Sequence, residues 1–370
     1  MENALKVRDI AGCLETWAPR QFAESYDNVG LLVGSMDAPV TQVMVSLDCT
    51  EAVVEEAVAA GCQMIVSHHP LIFKGMKRLV GGNEVERTVM LALRHNVALY
   101  AIHTNLDNVM SGVNWQLATS LGCLSESLKI LRPMGTGWEK WTVFVPHAAL
   151  EAVREAMSEA GAGHIGRYDQ CSFVVSGEGT FRALEGANPH VGTLGELHRE
   201  PESRLEMVVP SECVGAVHRA MSVAHSYEEV AYDRVQLQQT REDIGAGMVG
   251  TLPEPMAWQD FADLAKERLG CGAVKHTEPV ADKVQRIAVC GGSGAFLIED
   301  AKRAKADVYV TSDIKYHEYF QADGQIQLLD VGHYESEWQT SGLISNKIKE
   351  KFPNFAVRLS QTRTNPISFR

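Results

Sequence analysis

Five side chains have the types and spacing that can hold metal ions. His68 and His69 are adjacent, and Asp107 lies downstream of them. His333 and Glu337 are four residues apart in a segment that reads as a helix, so their side chains stack on one face about 6 Å apart. Imidazole nitrogens and carboxylate oxygens suit zinc, manganese and iron. The set therefore predicts a site for divalent ions, with metal-assisted hydrolysis as its chemistry.

Each part of this set also has an ordinary structural explanation. In a regular strand, His68 and His69 would point to opposite faces, and two loop histidines need hold no ligand. A His and Glu pair at helical spacing, such as His333 and Glu337, is usually solvated. What favours the metal site is the combination of these pairs with other polar clusters that follow strands.

Weaker signals surround the five candidates. His103 and His317 can be partners of metal ligands or proton-transfer groups, or they can be hydrogen-bonded structural histidines. Asp313 can orient a ligand or cap the next helix, and we take capping as the prediction. The glycine-rich run 291–294 can receive a phosphate at a helix start or form a tight turn. It lacks the Walker lysine and the full dinucleotide fingerprint.

Alternating strands and helices must position these side chains. Apolar periodicity predicts a helix that ends before Pro19, a second helix capped by Thr50, and a helix over 334–349. It also predicts strands at 43–47, 64–66, 97–102, 287–289, 308–310 and 328–331. Strands that alternate with helices imply a mainly parallel sheet, and ligands gather beyond the carboxyl ends of such strands. The polar clusters follow these ends, so we expect them to lie together.

The middle of the chain contains an internal repeat at a shift of 64 residues (145 to 209). Val145 and Pro146 match Val209 and Pro210, and each copy reads strand, helix, strand. Two such copies predict a ferredoxin-like insert over 138–240. The glycine-rich link between the copies (Gly177, Gly179, Gly186, Gly192 and Gly195) is predicted to form turns and not a phosphate cradle. Residues 1–130 and 245–370 are then the two halves of one split α/β domain.

Composition narrows the possible partners and location. The chain has 370 residues, a formal net charge of -13 and eight cysteines. Its basic residues are scattered, so nucleic acid is not an expected partner. The cysteines form no CxxC pair, which indicates free thiols in a reducing compartment. The first ten residues lack the apolar core of a signal peptide, and no run of eighteen apolar residues occurs. We expect a soluble, cytoplasmic protein without a membrane partner.

Four strings of the sequence closely resemble the NIF-three-like family, whose members are also called GTP cyclohydrolase I type 2 homologues. They are SHHP (67–70), HTNLD (103–107), TSDIKYH (311–317) and GHYESE (332–337). The resemblance extends to DNVGL (27–31). Within the insert, GRYD (166–169), GTFR (179–182) and GANP (186–189) resemble the long bacterial members. Nearly the whole chain is covered.

The resemblance implies a dinuclear centre. One ion would bind through His68 and Asp107, the other through His69 and His333, and Glu337 would bridge them. The cofactors would be two divalent ions per chain, zinc, manganese or iron. The resemblance also implies an insert like CutA or PII proteins and a toroidal hexamer with the metal sites facing an internal cavity.

The implied reaction is hydrolytic opening of the GTP base, as in the first step of folate biosynthesis, on a small, nucleotide-like substrate. Catalytic roles would fall on Glu337, His103 and His317. The alternative is a non-catalytic, metal-binding ring that acts as a regulatory or interaction scaffold, with the insert sensing a ligand or partner. A ring around nucleic acid has poor support in the charge. Ser312 and Ser226 stand where glycine and proline are commoner in the family, and neither is an implied ligand.

Overall fold

The computed structural model describes residues 5–135 and 137–370, and the chain divides into two compact units. Unit 1 comprises Met1–Pro133 and Glu242–Arg370, and unit 2 comprises Met134–Arg241. Each unit contains a hydrophobic core of its own. Unit 2 therefore occupies the segment for which the internal repeat predicts an insert.

The first half of unit 1 alternates helices and strands. Its elements are α1 (Val7–Trp17), β1 (Gly30–Val33), β2 (Gln42–Ser46), α2 (Glu51–Ala59), β3 (Met64–Ser67), α3 (Glu84–Arg94), β4 (Ala98–Ala101), α4 (Thr104–Asp107), α5 (Val113–Ser120) and β5 (Lys129–Pro133). The Thr50 hydroxyl accepts a hydrogen bond from the backbone N–H of Val53 at 3.4 Å, so it caps α2 as the sequence predicts.

Unit 2 has the element order of a ferredoxin-like unit. Its elements are β6 (Trp138–Pro146), α6 (Leu150–Glu159), β7 (Phe173–Arg182), β8 (Leu197–Pro210), α7 (Val214–Ala224) and β9 (Tyr232–Gln236). The strands form an antiparallel sheet in the order β7-β8-β6-β9. The two helices share a core with this sheet through Val153 of α6 and Val217 of α7.

The glycine-rich link of unit 2 differs in part from its prediction. Gly177 and Gly179 lie inside β7 and not in turns, so the prediction is wrong for these two residues. Gly179 faces β8, where a Cβ would collide with the Glu202 carboxylate. Close approach of a neighbouring side chain therefore explains a glycine that the sequence pattern assigns to a turn.

The second half of unit 1 returns to mixed helices and strands. Its elements are β10 (Gly245–Ala257), α8 (Trp258–Leu269), β11 (Lys275–His276), β12 (Lys283–Ser293), α9 (Ile298–Arg303), β13 (Val308–Ser312), β14 (Gln327–Asp330), α10 (His333–Glu337), α11 (Thr340–Lys351) and β15 (Ala356–Leu359). The continuous helix predicted over 334–349 is two helices. At the break, the side chains of Trp338 and Gln339 donate to the carbonyls of Leu269 and Arg268 at the end of α8. Such tertiary contacts are not visible in the apolar pattern.

The strands of unit 1 form two sheets, and the prediction of one mainly parallel sheet is wrong. The first sheet has the order β1-β4-β3-β2-β15 and the second β11-β14-β13-β12-β10-β5. In the first, only β1 is antiparallel to its neighbour, and in the second, β12, β13 and β14 are parallel. β15 pairs with β2 and β5 pairs with β10. Each half of the chain thus gives one strand to the sheet built by the other half.

The strands that carry the polar clusters are fully buried. Every residue of β3, β4, β13 and β14 is buried, so their positions are fixed by packing on both faces. The chain leaves these strands at their carboxyl ends, where the predicted site residues begin. Among the described residues, no helix combines the length and apolar character that crossing a membrane would require.

Candidate metal centre

His68 presents an unpartnered ring nitrogen to the interior of unit 1. Its Nδ1 lies 2.8 Å from the carbonyl oxygen of Ile102, to which it must donate, because a carbonyl only accepts. The lone pair is therefore on Nε2, which is buried without a hydrogen-bond partner among the described residues. This atom lies 3.6 Å from Oδ1 of Asp107 and 3.9 Å from Oε1 of Glu337. Asp107 Oδ1 is likewise buried and unpartnered.

Three further histidines are each held at Nδ1 by an aspartate. The pairs are His69 with Asp48 at 2.7 Å, His103 with Asp27 at 2.9 Å, and His333 with Asp313 at 2.7 Å. A carboxylate accepts the Nδ1 proton, so in the neutral ring the lone pair lies on Nε2. Carboxylate partners of this kind fix the tautomer and ring direction of metal-bound histidines.

Glu337 lies at the centre of the cluster. Its Oε2 is 3.0 Å from Nε2 of His69 and 3.1 Å from Nε2 of His333, and these two nitrogens are 3.4 Å apart. Ligand atoms of His69, His333 and Glu337 lie within 4.8 Å of one another, as do those of His68, Asp107 and Glu337. The structure thus brings together all five candidates, and their His, Asp and Glu groups could hold a metal ion.

The electrostatics of the cluster also suit cations. Burial, and then the charge of Glu337, raise the pKa of Asp107 well above its usual range. Burial opposes ionisation of Glu337, but hydrogen bonds from His333 and His69, together with the nearby ring of His68, hold its pKa well below its usual range. Despite burial, the carboxylates raise the pKa of His69 to about 9 and that of His333 to about 11. Burial lowers the pKa of His68 to about 4, so this ring is neutral near pH 7 and can offer its Nε2 lone pair to a metal ion.

The end of β12 approaches Glu337 so closely that it needs glycine. Gly292 has φ +62°, and a Cβ there would lie 2.5 Å from Oε1 of Glu337. Its N–H donates to Ser336 Oγ at 2.9 Å, and the N–H of Gly291 donates to Asn114 Oδ1 at 2.9 Å. The run 291–294 therefore packs against the central carboxylate of Glu337. It is not a plain tight turn, because residues 291–293 belong to β12, and it is not a phosphate cradle, because the N–H groups of Gly291 and Gly292 already have acceptors.

Asp313 orients a histidine and caps no helix, so the capping prediction is wrong. The helix that follows, Tyr316–Ala322, begins after Lys315, whereas Asp313 Oδ2 accepts from His333. His317 is exposed on that helix with its ring against Tyr316, at 5.1 Å between centroids. The structure does not bring His317 into the cluster, whereas the His103 ring lies 5.2 Å from that of His68.

A cavity of about 560 Å³ opens onto the cluster. His69, His103, Asp107, His333 and Glu337 form its polar side. Its apolar side includes Tyr26, Phe73, Phe296 and Ile367, and the rings of Tyr26 and Phe73 are 6.2 Å apart. None of the described residues that line it is Lys or Arg. A small molecule can therefore reach the cluster. This lining offers no Lys or Arg side chain to bind the negative charge of such a molecule.

Most hydrogen-bond partners of the cluster are not among the residues predicted from the sequence. Asp48 directly follows the Leu47 at the end of the predicted strand 43–47, so the strand-end rule that found Asp107 also finds Asp48. Asp27 belongs to the DNVGL string, which contributes to the family resemblance but for which the sequence indicates no functional role. Asn114 links Gly291 to the carbonyl of Asp107, which its Nδ2 contacts at 2.9 Å. No pattern in the sequence indicates that contact.

Comparison with known proteins places these residues in a wider group. The sequence profile described as Duf34/NIF3 (NGG1p interacting factor 3) matches residues 5–366. A Bacillus subtilis (strain 168) protein named GTP cyclohydrolase 1 type 2 homolog is 38% identical over 374 residues, covering 100% of both chains. A solved Bacillus cereus protein related to NIF3 has a TM-score of 0.86 at 36% identity, with 100% of both chains covered. A Staphylococcus aureus structure has a TM-score of 0.77 at 30% identity, also over 100% of both chains.

Proposed function

The chain belongs to the Duf34/NIF3 family, and we propose that it is a dinuclear, metal-dependent hydrolase that acts on a nucleotide-like substrate. The observation that carries the proposal is the position of Glu337, which is shared by two groups of possible ligands. His68 and Asp107 would hold one ion, His69 and His333 would hold the other, and Glu337 would offer a ligand to both. The ions are zinc, manganese or iron, which accept this mixture of imidazole and carboxylate.

The residues of the chain have separable roles in this proposal. Two divalent ions bound here would supply Lewis acidity for attack by water on the substrate. Glu337 places negative charge between the two positions. Asp27 holds His103 at Nδ1, so the ring directs Nε2 to accept and return a proton at the cavity that His103 lines. His317 has no place in the proposed mechanism, because it lies outside the cavity lining.

The cavity supports a small, flat substrate. Its volume of about 560 Å³ is typical of small-molecule sites. Tyr26 and Phe73 form an aromatic wall on which a planar ring can pack. With no Lys or Arg among its described lining residues, the charge of phosphate groups would be met by the ions. The relatives named GTP cyclohydrolase 1 type 2 homolog point to hydrolytic opening of a GTP-like ring.

Three further features are proposed from the family resemblance. Unit 2 is a CutA or PII-like domain, which agrees with its element order and strand order. The chain assembles as a toroidal homohexamer. The protein works in the cytoplasm.

The second candidate is a non-catalytic scaffold, and unit 2 supplies the observation that favours it. Unit 2 contains none of the five proposed ligands, yet it has a cavity of about 770 Å³ lined by Phe144, Phe181 and Tyr227 among others. In this alternative, the ions stabilise unit 1 while unit 2 binds a ligand or partner.

Turnover separates the two candidates. We expect the metal-loaded protein to open GTP or a related nucleotide, and we expect chelation to abolish the reaction and the same metal to restore it. Product formation is followed chromatographically, with Glu337→Gln as the control for a contaminating enzyme, since that variant must be inactive. A broad substrate screen without metal-dependent product, on protein with full occupancy, would favour the scaffold.

A further inference from the structure

The segment 360–367, here called the strap, is tightly anchored where it leaves β15. The carboxylate of Glu56 accepts from Ser360 Oγ at 2.6 Å, from the Gln361 N–H at 2.7 Å and from Thr362 Oγ1 at 2.8 Å. The backbone N–H of Ser360 also donates to the carbonyl of Val45 in β2 at 2.9 Å. The strap therefore starts from a fixed point on the first sheet.

Beyond this anchor, Thr364 contacts the partner of a proposed ligand. Its hydroxyl donates to Oδ2 of Asp48, while Oδ1 of the same carboxylate accepts from Nδ1 of His69 at 2.7 Å. The Asp48 side chain is 33% exposed, so packing alone does not fix its rotation. The Thr364 hydroxyl holds the second oxygen and thereby fixes the direction of the first.

The next residues of the strap contact the helix that carries two other ligands. Asn365 Nδ2 donates to Oε1 of Glu335 at 2.8 Å. Glu335 is buried in α10, between His333 and Glu337. Asn365 and Ile367 also line the cavity. One partly exposed segment thus contacts Asp48, the partner of His69, and Glu335 in the helix that carries His333 and Glu337.

We infer that the strap positions the ion held by His69, His333 and Glu337, and that Thr364 is a positioning residue for His69. This inference rests on the proposed dinuclear site. Hydrogen bonds around a metal-binding histidine set its orientation and basicity. A loosened Asp48 therefore lowers the affinity for the ion at His69 more than the affinity for the ion at His68 and Asp107. Coupling is reciprocal, so binding of the ion must also hold the strap in place.

Thr364→Val tests the positioning role, because it removes the hydroxyl and keeps the shape. We expect the affinity for one of the two ions to fall roughly 10- to 100-fold, as for other partners of metal ligands, while the other ion binds as in the wild type. Thr364→Ser should restore the affinity. Thr16→Val is the matched control, since the exposed Thr16 hydroxyl donates to the Gly12 carbonyl within α1, and it should leave both affinities unchanged.

Competition titrations against a chromophoric chelator give both affinities. Wild-type affinities for both ions in Thr364→Val, or equal losses at both, would overturn the positioning role while leaving the dinuclear site intact. A wild type that binds no ion refutes the proposed function itself, and the inference with it.

Trypsin supplies a readout that is independent of affinity. Arg363 is exposed within the strap, so we expect ions to slow cleavage after Arg363 at least several-fold in the wild type and far less in Thr364→Val. Cleavage after the exposed Arg167 in unit 2 is the internal control and should not respond to ions. Equal cleavage at Arg363 with and without ions would overturn the coupling.

Discussion

Glu337→Gln is expected to remove both ions, whereas His69→Ala removes one. Two dications about 4 Å apart repel each other by roughly 16 kcal/mol at an effective dielectric constant of 20, which is four times the value for unit charges. A bridging carboxylate offsets much of this repulsion, and an amide of the same shape does not. Loss of the neutral imidazole of His69 instead removes a donor from a single ion.

Metal titration of the two variants measures the difference. Glu350→Gln is the matched control, because the Glu350 side chain is 71% exposed on α11 and should not affect either ion. If Glu337→Gln loses one ion and retains the other at wild-type affinity, Glu337 is a ligand of a single ion and the bridging assignment is wrong.

Gly292→Ala should abolish tight metal binding although it alters no ligand. The new Cβ would lie 2.5 Å from Oε1 of Glu337, so the carboxylate must move away from the position shared by the two ion sites. The backbone at φ +62° adds a cost of roughly 1–2 kcal/mol for any residue with a Cβ. We expect metal affinity to fall at least tenfold, which corresponds to about 1.4 kcal/mol.

Gly270→Ala separates the backbone cost from the collision. Gly270 has φ +73°, and a Cβ there meets no atom within 4 Å. Denaturant unfolding of the ion-free variants should show that both substitutions lower the free energy of unfolding by similar amounts, because both place a Cβ at positive φ. Gly292→Ala should lower it further only if the Glu337 side chain cannot shift. Metal titration should show loss of affinity in Gly292→Ala alone. Equal, wild-type affinities in both variants would show that Glu337 does not need its observed position.

The candidate ligands that follow buried strands could be recognised from the sequence alone. His68 follows β3, and Asp107 lies just beyond β4, so one rule about strand ends brought them together. His333 and Glu337 followed from helical spacing, which survives in the short helix α10. These features are local, so they are visible in a single sequence.

The hydrogen bonds between the aspartates and the histidines of the cluster could not be predicted from the sequence. Asp27 is 76 residues from His103, and Asp48 is 21 residues from His69. Which acid faces which ring depends on the packed sheets, and no periodic pattern encodes that pairing. The same cause explains the error about Asp313, whose helical context suggested a cap, although its carboxylate holds His333.

The sheet arrangement failed for a related reason. Alternating strands and helices correctly indicated the parallel core of each sheet. They did not indicate that β5 would join the second sheet or β15 the first, because strand exchange between chain halves depends on long-range pairing. Gly179 of β7 could not be told from a turn glycine, because close packing beside a strand needs glycine as much as a turn does.

Metal stoichiometry tests the central claim most directly. After reconstitution with zinc, manganese or iron and removal of excess ion, elemental analysis of the wild-type protein should give two ions per chain. In the same experiment, His69→Ala should give about one ion and Glu337→Gln close to none. Less than half an equivalent in the wild type would contradict metal binding, and saturation at a single ion would contradict the dinuclear centre.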